Sequence, residues 1–199
     1  MNDDFPLRYD YIANGDCLEL MKNIPDNSVD LVLTDPPYLQ QYKSNRRKSS
    51  ENHKFKHEIT NDNNPDFIYN YIKECYRILK PNKAMYCFAN FHKIEVFKKA
   101  FEDTGFNIKN LIVWVKNNWI MGDLQASFRH QYELLFLVNK GRCCLNGKRI
   151  TDIWHFDRVS NAKLVHQNQK PIDLIKQCIQ YHSKEGDIVF DGTMGALRV

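Results

Sequence analysis

The chain has 199 residues, 43% of them hydrophobic and 26% charged, with a formal net charge of +4. That length suits one domain with a small insertion and supplies enough apolar material for a core, which excludes a wholly disordered chain. The most apolar runs, at 111–115 and 134–138, are too short to span a bilayer, and the opening Met1-Asn2-Asp3-Asp4 lacks a secretory pattern.

Short runs rich in β-branched and aromatic residues alternate with helical patterns, which is the mark of an α/β domain with a largely parallel sheet. In chain order the predicted elements are a strand at 9–13, a short helix at 18–23 ended by Pro25, and a strand at 29–34. A helix from 64 to 81 follows, capped by Asn64-Pro65 and carrying Phe67, Ile68, Tyr71, Ile72, Cys75, Ile78 and Leu79 on one face. Next come a strand at 84–88, a helix at 92–103 stopped before Gly105, and strands at 110–115 and 133–139. A last helix spans 171–186, striped with Ile172, Ile175, Cys178 and Ile179, and a last strand spans 187–191. Strands as apolar as Leu31-Val32-Leu33 suit a sheet covered on both faces.

Two stretches stand outside this alternation. Residues 39–63 are polar and basic, with Lys43, Arg46, Arg47, Lys48, Lys54 and Lys56 against Glu51 and Glu58; a loop this long without its own structure is expected to be functional or disordered. Residues 140–165 interleave Lys140, Arg142, Lys148, Arg149, Arg158 and Lys163 with Trp154, His155 and Phe156. If the partner is nucleic acid, the first stretch suits phosphate contact through Lys43, Arg46, Arg47 and Lys48. The second, with Lys148 and Arg149, suits reading of a few base pairs. A solvated charged surface explains any single one of these residues equally well. The six cysteines form no Cys-x-x-Cys pair and no zinc-like Cys/His set, so reduced thiols in a cytosolic protein without a metal are expected.

The strongest chemical signal is Leu31-Val32-Leu33-Thr34-Asp35-Pro36-Pro37-Tyr38, an apolar strand running into a carboxylate, two prolines and an aromatic. Ligands of open α/β sheets bind at the carboxyl ends of strands. Two prolines fix the backbone and remove two N–H donors, leaving nearby carbonyls as acceptors in a set direction. Such a place suits an exocyclic amino group, which has two hydrogens to donate, and Tyr38 offers a ring for a base to stack on, worth roughly 1–3 kcal/mol. Taken alone, the same residues also read as a proline-ended strand with a capping aspartate.

The surrounding blocks carry a resemblance. Asn14-Gly15-Asp16-Cys17-Leu18-Glu19-Leu20-Met21 and Pro25-Asp26-Asn27-Ser28-Val29-Asp30-Leu31 lead into Asp35-Pro36-Pro37-Tyr38. Trp114-Val115-Lys116-Asn117, His130-Gln131-Tyr132-Glu133-Leu134-Leu135-Phe136, His166-Gln167-Asn168-Gln169-Lys170-Pro171 and Gly186-Asp187-Ile188-Val189-Phe190-Asp191 with Gly195 then follow in order. Together they resemble the amino-methylating DNA methyltransferases of the beta arrangement, adenine-N6 or cytosine-N4, in which the catalytic half precedes the cofactor half.

The resemblance implies a single methyltransferase domain over 1–199, with a Rossmann-like, circularly permuted S-adenosylmethionine-dependent sheet. It implies double-stranded DNA as partner, with a flipped adenine held by Asp35, Pro36, Pro37 and Tyr38. Asp at the first position of that motif favours adenine-N6 over cytosine-N4. S-adenosylmethionine would be contacted by Asp16 and Cys17 at its adenine ring, by Gln169 and Lys170, and by Asp191, Thr193 and Gly195 at its methionine part. The reading of Asp16 as a plain helix cap stays open beside this. Two departures stand out: the family's second glycine is missing from Asp191-Gly192-Thr193-Met194-Gly195-Ala196, and Gln167 replaces a proline. The sequence also stops at Val199, short of the ribose-binding acid, so a fold incomplete at its C-terminus, weak cofactor binding, and a second copy or a complementing C-terminal fragment are expected. A decayed methylase that only binds DNA, and a methylase acting on cytosine-N4 or on RNA, are the competing readings.

Overall fold

Side chains of a β-strand alternate between its two faces, so a continuous apolar run can serve two cores at once. Val29–Thr34 (β1) does so: Leu31 and Leu33 pack into one core cluster and Val32 into the other. In the computed structural model, which describes residues 11–40, 60–119, 123–160 and 169–193, β1 is central to a six-stranded sheet.

The elements in chain order are α1 (Cys17–Met21), β1, α2 (Pro65–Ile78), β2 (Leu79–Ala89), a 3-10 turn (Phe91–Lys93), α3 (Ile94–Thr104), β3 (Asn107–Val115), β4 (Tyr132–Lys140), β5 (Ile153–His155), α4 (Ile172–His182) and β6 (Val189–Phe190). The strand order is β5-β3-β4-β2-β1-β6. β4 runs antiparallel to both its neighbours, β2 and β3, while β1 pairs parallel with β2 and β6, and β3 with β5. The expected largely parallel sheet therefore has one reversed strand. Two further corrections concern strands. Residues 11–13 form no strand, positions 9 and 10 lying outside the described residues, and the 140–165 segment contributes β5 to the sheet. β5 is three residues long with one buried side chain, Trp154, and so lacks the alternation that identifies a strand from sequence.

Helices cover both faces. Phe67, Ile68, Tyr71, Ile72, Cys75 and Ile78 of α2, with Phe97 and Phe101 of α3, pack on Val32, Met85, Cys87, Phe136 and Val138. Leu174, Ile175 and Cys178 of α4 pack on the other face with Leu33, Tyr86, Phe88, Trp114 and Trp154. Each fully buried side chain of this size contributes about 1.5–3 kcal/mol. α2 starts where the sequence places it, Asn64 Oδ1 accepting from Phe67 N at 3.2 Å with Pro65 in the first turn. It ends at Ile78, short of 81, because Lys80 precedes Pro81 and is biased away from helical backbone.

One buried carboxylate locks the short strand β6 to the sheet. Asp30 on β1, its side chain 7% exposed, accepts from Lys80 Nζ at 2.7 Å, pairs with Lys83 Nζ at 3.0 Å, and accepts from Ile188 N at 3.1 Å. Burial pushes its pKa up, but the two lysines and the amide outweigh burial and hold it below the ordinary 3.8. Asp30→Ala is expected to cost about 2 kcal/mol at neutral pH, because it leaves the Lys80 ammonium and the Ile188 amide without this acceptor, while Lys83 keeps Asp187 at 3.0 Å. A depressed folded-state pKa means this stability is present above the unfolded value and lost as pH falls through the folded one. Urea unfolding of both proteins from pH 7 to pH 3 checks this: the gap should be widest at pH 7 and shrink in acid.

Candidate active site

The reversal of β4 matters for chemistry, since it brings the first residues of β4 to the edge where β1 and β2 end. Thr34 closes β1, and Asp35, Pro36, Pro37 and Tyr38 follow it at that edge, Pro36 buried and the Asp35 side chain 17% exposed. Leu39 then takes a left-handed backbone, φ 60°, and is buried. That conformation costs a non-glycine residue roughly 1–2 kcal/mol, strain of the kind packed surroundings hold in place beside sites.

The edge is organised around Lys170, which stands two residues before α4. Its ammonium lies 2.9 Å from Asp35 Oδ2 and 2.9 Å from Glu133 Oε2 on β4, and donates to Tyr38 Oη at 3.0 Å. Its side chain is 4% exposed. An ammonium has three donors, and three acceptors surround this one. The Tyr38 hydroxyl donates to Asp35 Oδ1, and Glu133 Oε1 meets Lys116 Nζ at 3.1 Å. A buried chain of alternating charge thus runs Asp35, Lys170, Glu133, Lys116.

The two carboxylates differ. Burial raises the Glu133 pKa, but Lys170 and Lys116 together pull it below the ordinary carboxylate value. Asp35 has a half-share of Lys170 and no second cation; burial, helped by the charge of Glu133, holds it above the ordinary value against the pull of Lys170 and the Tyr38 hydroxyl. Lys170 stays charged, its pKa raised by the two carboxylates against burial.

A second acid sits one strand over. Asp191 follows β6, and burial lifts its pKa to about 7 against the pull of hydrogen bonds from Thr193 and Thr34. Its Oδ1 accepts from Thr193 N at 3.0 Å, whereas Oδ2 is buried and has no hydrogen-bond partner among the described residues. Hydroxyls tie the Asp191 turn to Thr34, the residue before Asp35: Tyr71 Oη is 2.7 Å from Thr34 Oγ1, and Thr34 Oγ1 is 2.6 Å from Thr193 Oγ1. Gly192 N donates to Tyr71 Oη at 3.2 Å, and a Cβ on Gly192 would lie 2.9 Å from the Tyr71 ring. Only glycine allows that approach.

Of the residues picked out from sequence, Asp35, Tyr38 and Lys170 come together, with Asp191 and Thr193 on the adjacent strand end. Lys170 is no solvated charge, and its direct partners are the Asp35 and Glu133 carboxylates. Asp16 caps α1, its Oδ1 accepting from Leu18 N and Glu19 N. Cys17 is half-buried, its thiol pushed up by burial and by the charges of Asp16 and, more weakly, Asp191. Gln169 is partly buried beside Lys170. Gly195 and the basic residues Lys43, Arg46, Arg47 and Lys48 lie outside the described residues. Lys148 and Arg149 are exposed at the far end of α4, where the Lys148 carbonyl accepts from Tyr181 Oη. They are not brought near Asp35, since the 11 residues of α4 span about 16 Å. A polar cleft of about 210 Å³ at that far end, lined by Lys83, Cys143, His182 and Asp187 among others, holds none of the acids described above.

Sequence reading missed Glu133, Lys116, Thr34 and Tyr71. A lone glutamate opening the apolar run Tyr132-Glu133-Leu134-Leu135-Phe136 was the available signal, but in a parallel sheet it would sit at the opposite edge. The active edge also carries exposed rings. Phe91 and His92 lie 4.3 Å apart between centroids, tilted by 47°, with the half-buried His130 within 6.4 Å of both and Tyr132 at 6.2 Å from His130, beside a groove of about 310 Å³ lined by Leu39, Gln40, His92 and Lys93. Phe128 is 96% exposed, and Arg129 lies over the Trp119 ring at 5.4 Å. Among the described residues no group of three His, Cys, Asp or Glu side chains could hold a metal ion, and no helix is long and apolar enough to cross a membrane.

Comparison with known proteins places this geometry in context. The chain is 26% identical over 182 residues to YubD of Escherichia coli K12, covering 92% of this chain and 74% of that protein. It is 28% identical over 204 residues to the type II methyltransferase M.HpaI of Haemophilus parainfluenzae, covering 92% of this chain and 62% of that one. It spans 59% to 62% of the length of three such type II methyltransferases. The fold matches the M1.HpyAVI–SAM complex with a TM-score of 0.63 at 23% identity, covering 92% and 80% of the two chains. It also matches the cytosine-N4-specific PvuII DNA methyltransferase with a TM-score of 0.69 at 15% identity, covering 89% and 71%. A family model described as DNA methylase, N6_N4_Mtase, matches residues 29–196, and the chain belongs to that family.

Proposed function

We propose that this chain is an S-adenosylmethionine-dependent DNA methyltransferase acting on the exocyclic N6 amino group of a flipped adenine. The observation that carries the reading is the pair of acids on adjacent strand ends, Asp35 after β1 and Asp191 after β6, with the Asp191 turn held to the end of β1 through Thr193 and Thr34. They ask for two different guests. Asp35, with a pKa above the ordinary value and one oxygen committed only to a tyrosine hydroxyl, suits an amino-group donor. Asp191 offers a buried carboxylate oxygen with no partner among the described residues, which suits the α-ammonium of an amino acid. The residues present therefore fit the methionine part of the cofactor.

When bound there, S-adenosylmethionine supplies the electrophilic methyl group. The chain's own residues do the rest. Asp35 accepts one amino hydrogen once Tyr38 gives up its bond to Oδ1, which fixes the direction of the nitrogen lone pair. Tyr38 then has its ring free to stack on the base. Pro36 and Pro37 hold the turn rigid, so the amino group meets a preformed site, and positioning supplies most of the acceleration.

The exposed rings Phe91, His92 and Tyr132, with the half-buried His130 and the exposed Arg129, suit contact with the DNA around the flipped base. Lys43, Arg46, Arg47 and Lys48 are assigned to phosphates, while the recognition role of 140–165 is confined to its part nearest the active edge. The fold likeness to a cytosine-N4-specific enzyme favours cytosine-N4 as the second reading, since both targets are amino groups. The aspartate of Asp35-Pro36-Pro37-Tyr38 favours adenine. Hydrolysis of DNA methylated by this chain decides between them: N6-methyladenine is expected, and N4-methylcytosine would overturn the choice.

Asp35→Ala is expected to abolish transfer of labelled methyl groups while leaving duplex affinity within a few-fold, because affinity comes mostly from phosphate contacts. Residual transfer within a few-fold of wild type would remove Asp35 from the chemistry. The cofactor reading carries a pH signature. A cation bound at Asp191 favours the ionised carboxylate, so binding should tighten by up to about tenfold per pH unit below about 7 and level off above it. Titration calorimetry with S-adenosylmethionine between pH 5.5 and 8.5 should show proton release on binding below that midpoint. Asp191→Asn should lose both the pH dependence and the proton release.

A further inference from the structure

Beyond Asp35 itself, the site holds a second acid whose place in the charge chain gives it a function. Glu133 is partly buried, and both of its oxygens are committed, Oε2 to Lys170 at 2.9 Å and Oε1 to Lys116 at 3.1 Å. Lys116 is itself held in place: its amide donates to the Gln131 carbonyl at 2.8 Å, its carbonyl accepts from Gln131 Nε2 at 2.8 Å, and its ammonium lies 5.6 Å from the Trp114 ring. Lys170 is enclosed by rings as well, 4.6 Å from Phe88 and 5.5 Å from Tyr38. An ammonium so enclosed has no water to share its charge with, so the two carboxylates divide it.

We infer that Glu133 is a positioning residue for the methyl-transfer site, which by drawing Lys170 away from Asp35 keeps the Asp35 carboxylate a strong and correctly aimed hydrogen-bond acceptor. This rests on the methyltransferase reading for its purpose, though not for its geometry. With Asp35 as sole partner, Lys170 would close onto it and spend the acceptor strength that the amino group needs. With Glu133 present, Lys170 is anchored from β4 and its charge is shared. Lys116 completes the balance by holding Glu133 ionised. Among the described residues the other groups facing Asp35 are the Tyr38 hydroxyl, Cys87 from β2 and Asp191 after β6, and none of these is a cation.

The inference makes opposite forecasts for two isosteric changes. Glu133→Gln should lower the titration midpoint of the Asp35 carboxyl by about one pH unit or more, because it removes a nearby negative charge and frees Lys170 for Asp35. Lys116→Met should raise it, because Glu133 then draws Lys170 more strongly. Carbon-13 NMR of the side-chain carboxyls in the full chain reads both, with no need for turnover. In methylation assays Glu133→Gln should lower kcat by about tenfold while leaving KM for DNA within a few-fold. The double variant Glu133→Gln/Lys116→Met should recover thermal stability, since no unpaired buried ammonium is left, but keep the low midpoint.

A midpoint in folded Glu133→Gln within about 0.3 unit of wild type overturns the inference, as do shifts of the same sign in both single variants. Should Glu133→Gln fail to fold, Lys116→Met and the double variant still decide it. A chain that methylates nothing, yet shows the two opposed shifts, would refute the methyltransferase reading and leave the charge-sharing intact.

Discussion

One buried ammonium holds the active edge together. Lys170 comes from the turn before α4, yet it touches residues that follow β1 and begin β4, and so it joins a helix on one face of the sheet to two strand ends. Burying a lysine is costly unless its three donors are satisfied by groups of opposite or complementary charge. Here Asp35, Glu133 and Tyr38 meet all three. The cost of breaking such a cluster gives the edge its rigidity, and rigidity is what a site that works by orientation requires.

The rest of the fold serves to bring the two acids side by side. β6 has only two residues, too few to stay in the sheet by its own pairing with β1. Asp30 secures it from one end by accepting from Ile188 N while bound to Lys80 and Lys83. At the other end, the Tyr71–Thr34–Thr193 hydroxyls tie the turn after β6 to the end of β1. Gly192 permits this, since any side chain there would meet the Tyr71 ring. Stability and function therefore share residues: Tyr71 belongs to the core face of α2 and also braces the Asp191 turn.

The charges divide in the same economical way. Inside the site they alternate and cancel, which keeps the buried chain neutral from Asp35 to Lys116. Outside it, the exposed groups near the mouth include the rings of Phe91, His92 and Tyr132 and the guanidinium of Arg129, with Lys93 and His130 half-buried among them, a chemistry that suits the proposed contact with bases and phosphates.

Much of this was legible in the sequence, for a local reason. The bounds of β1, the Asn64 cap and apolar stripe of α2, and the stop at Gly105 are each set by residues within a few positions of one another, through side-chain period, capping and backbone preference. Asp35-Pro36-Pro37-Tyr38 is likewise a contiguous motif, so its place at a strand end could be read directly. The reversal of β4, the pairing of β5 with β3 and the bond from Lys170 to Asp35 were decided only in three dimensions. Strand direction depends on which partner offers its edge, and alternation of apolar residues reads the same forwards and backwards. Glu133 and Lys116 were hidden for that reason: their worth lies in which edge of the sheet they reach. Only tertiary packing chose that edge.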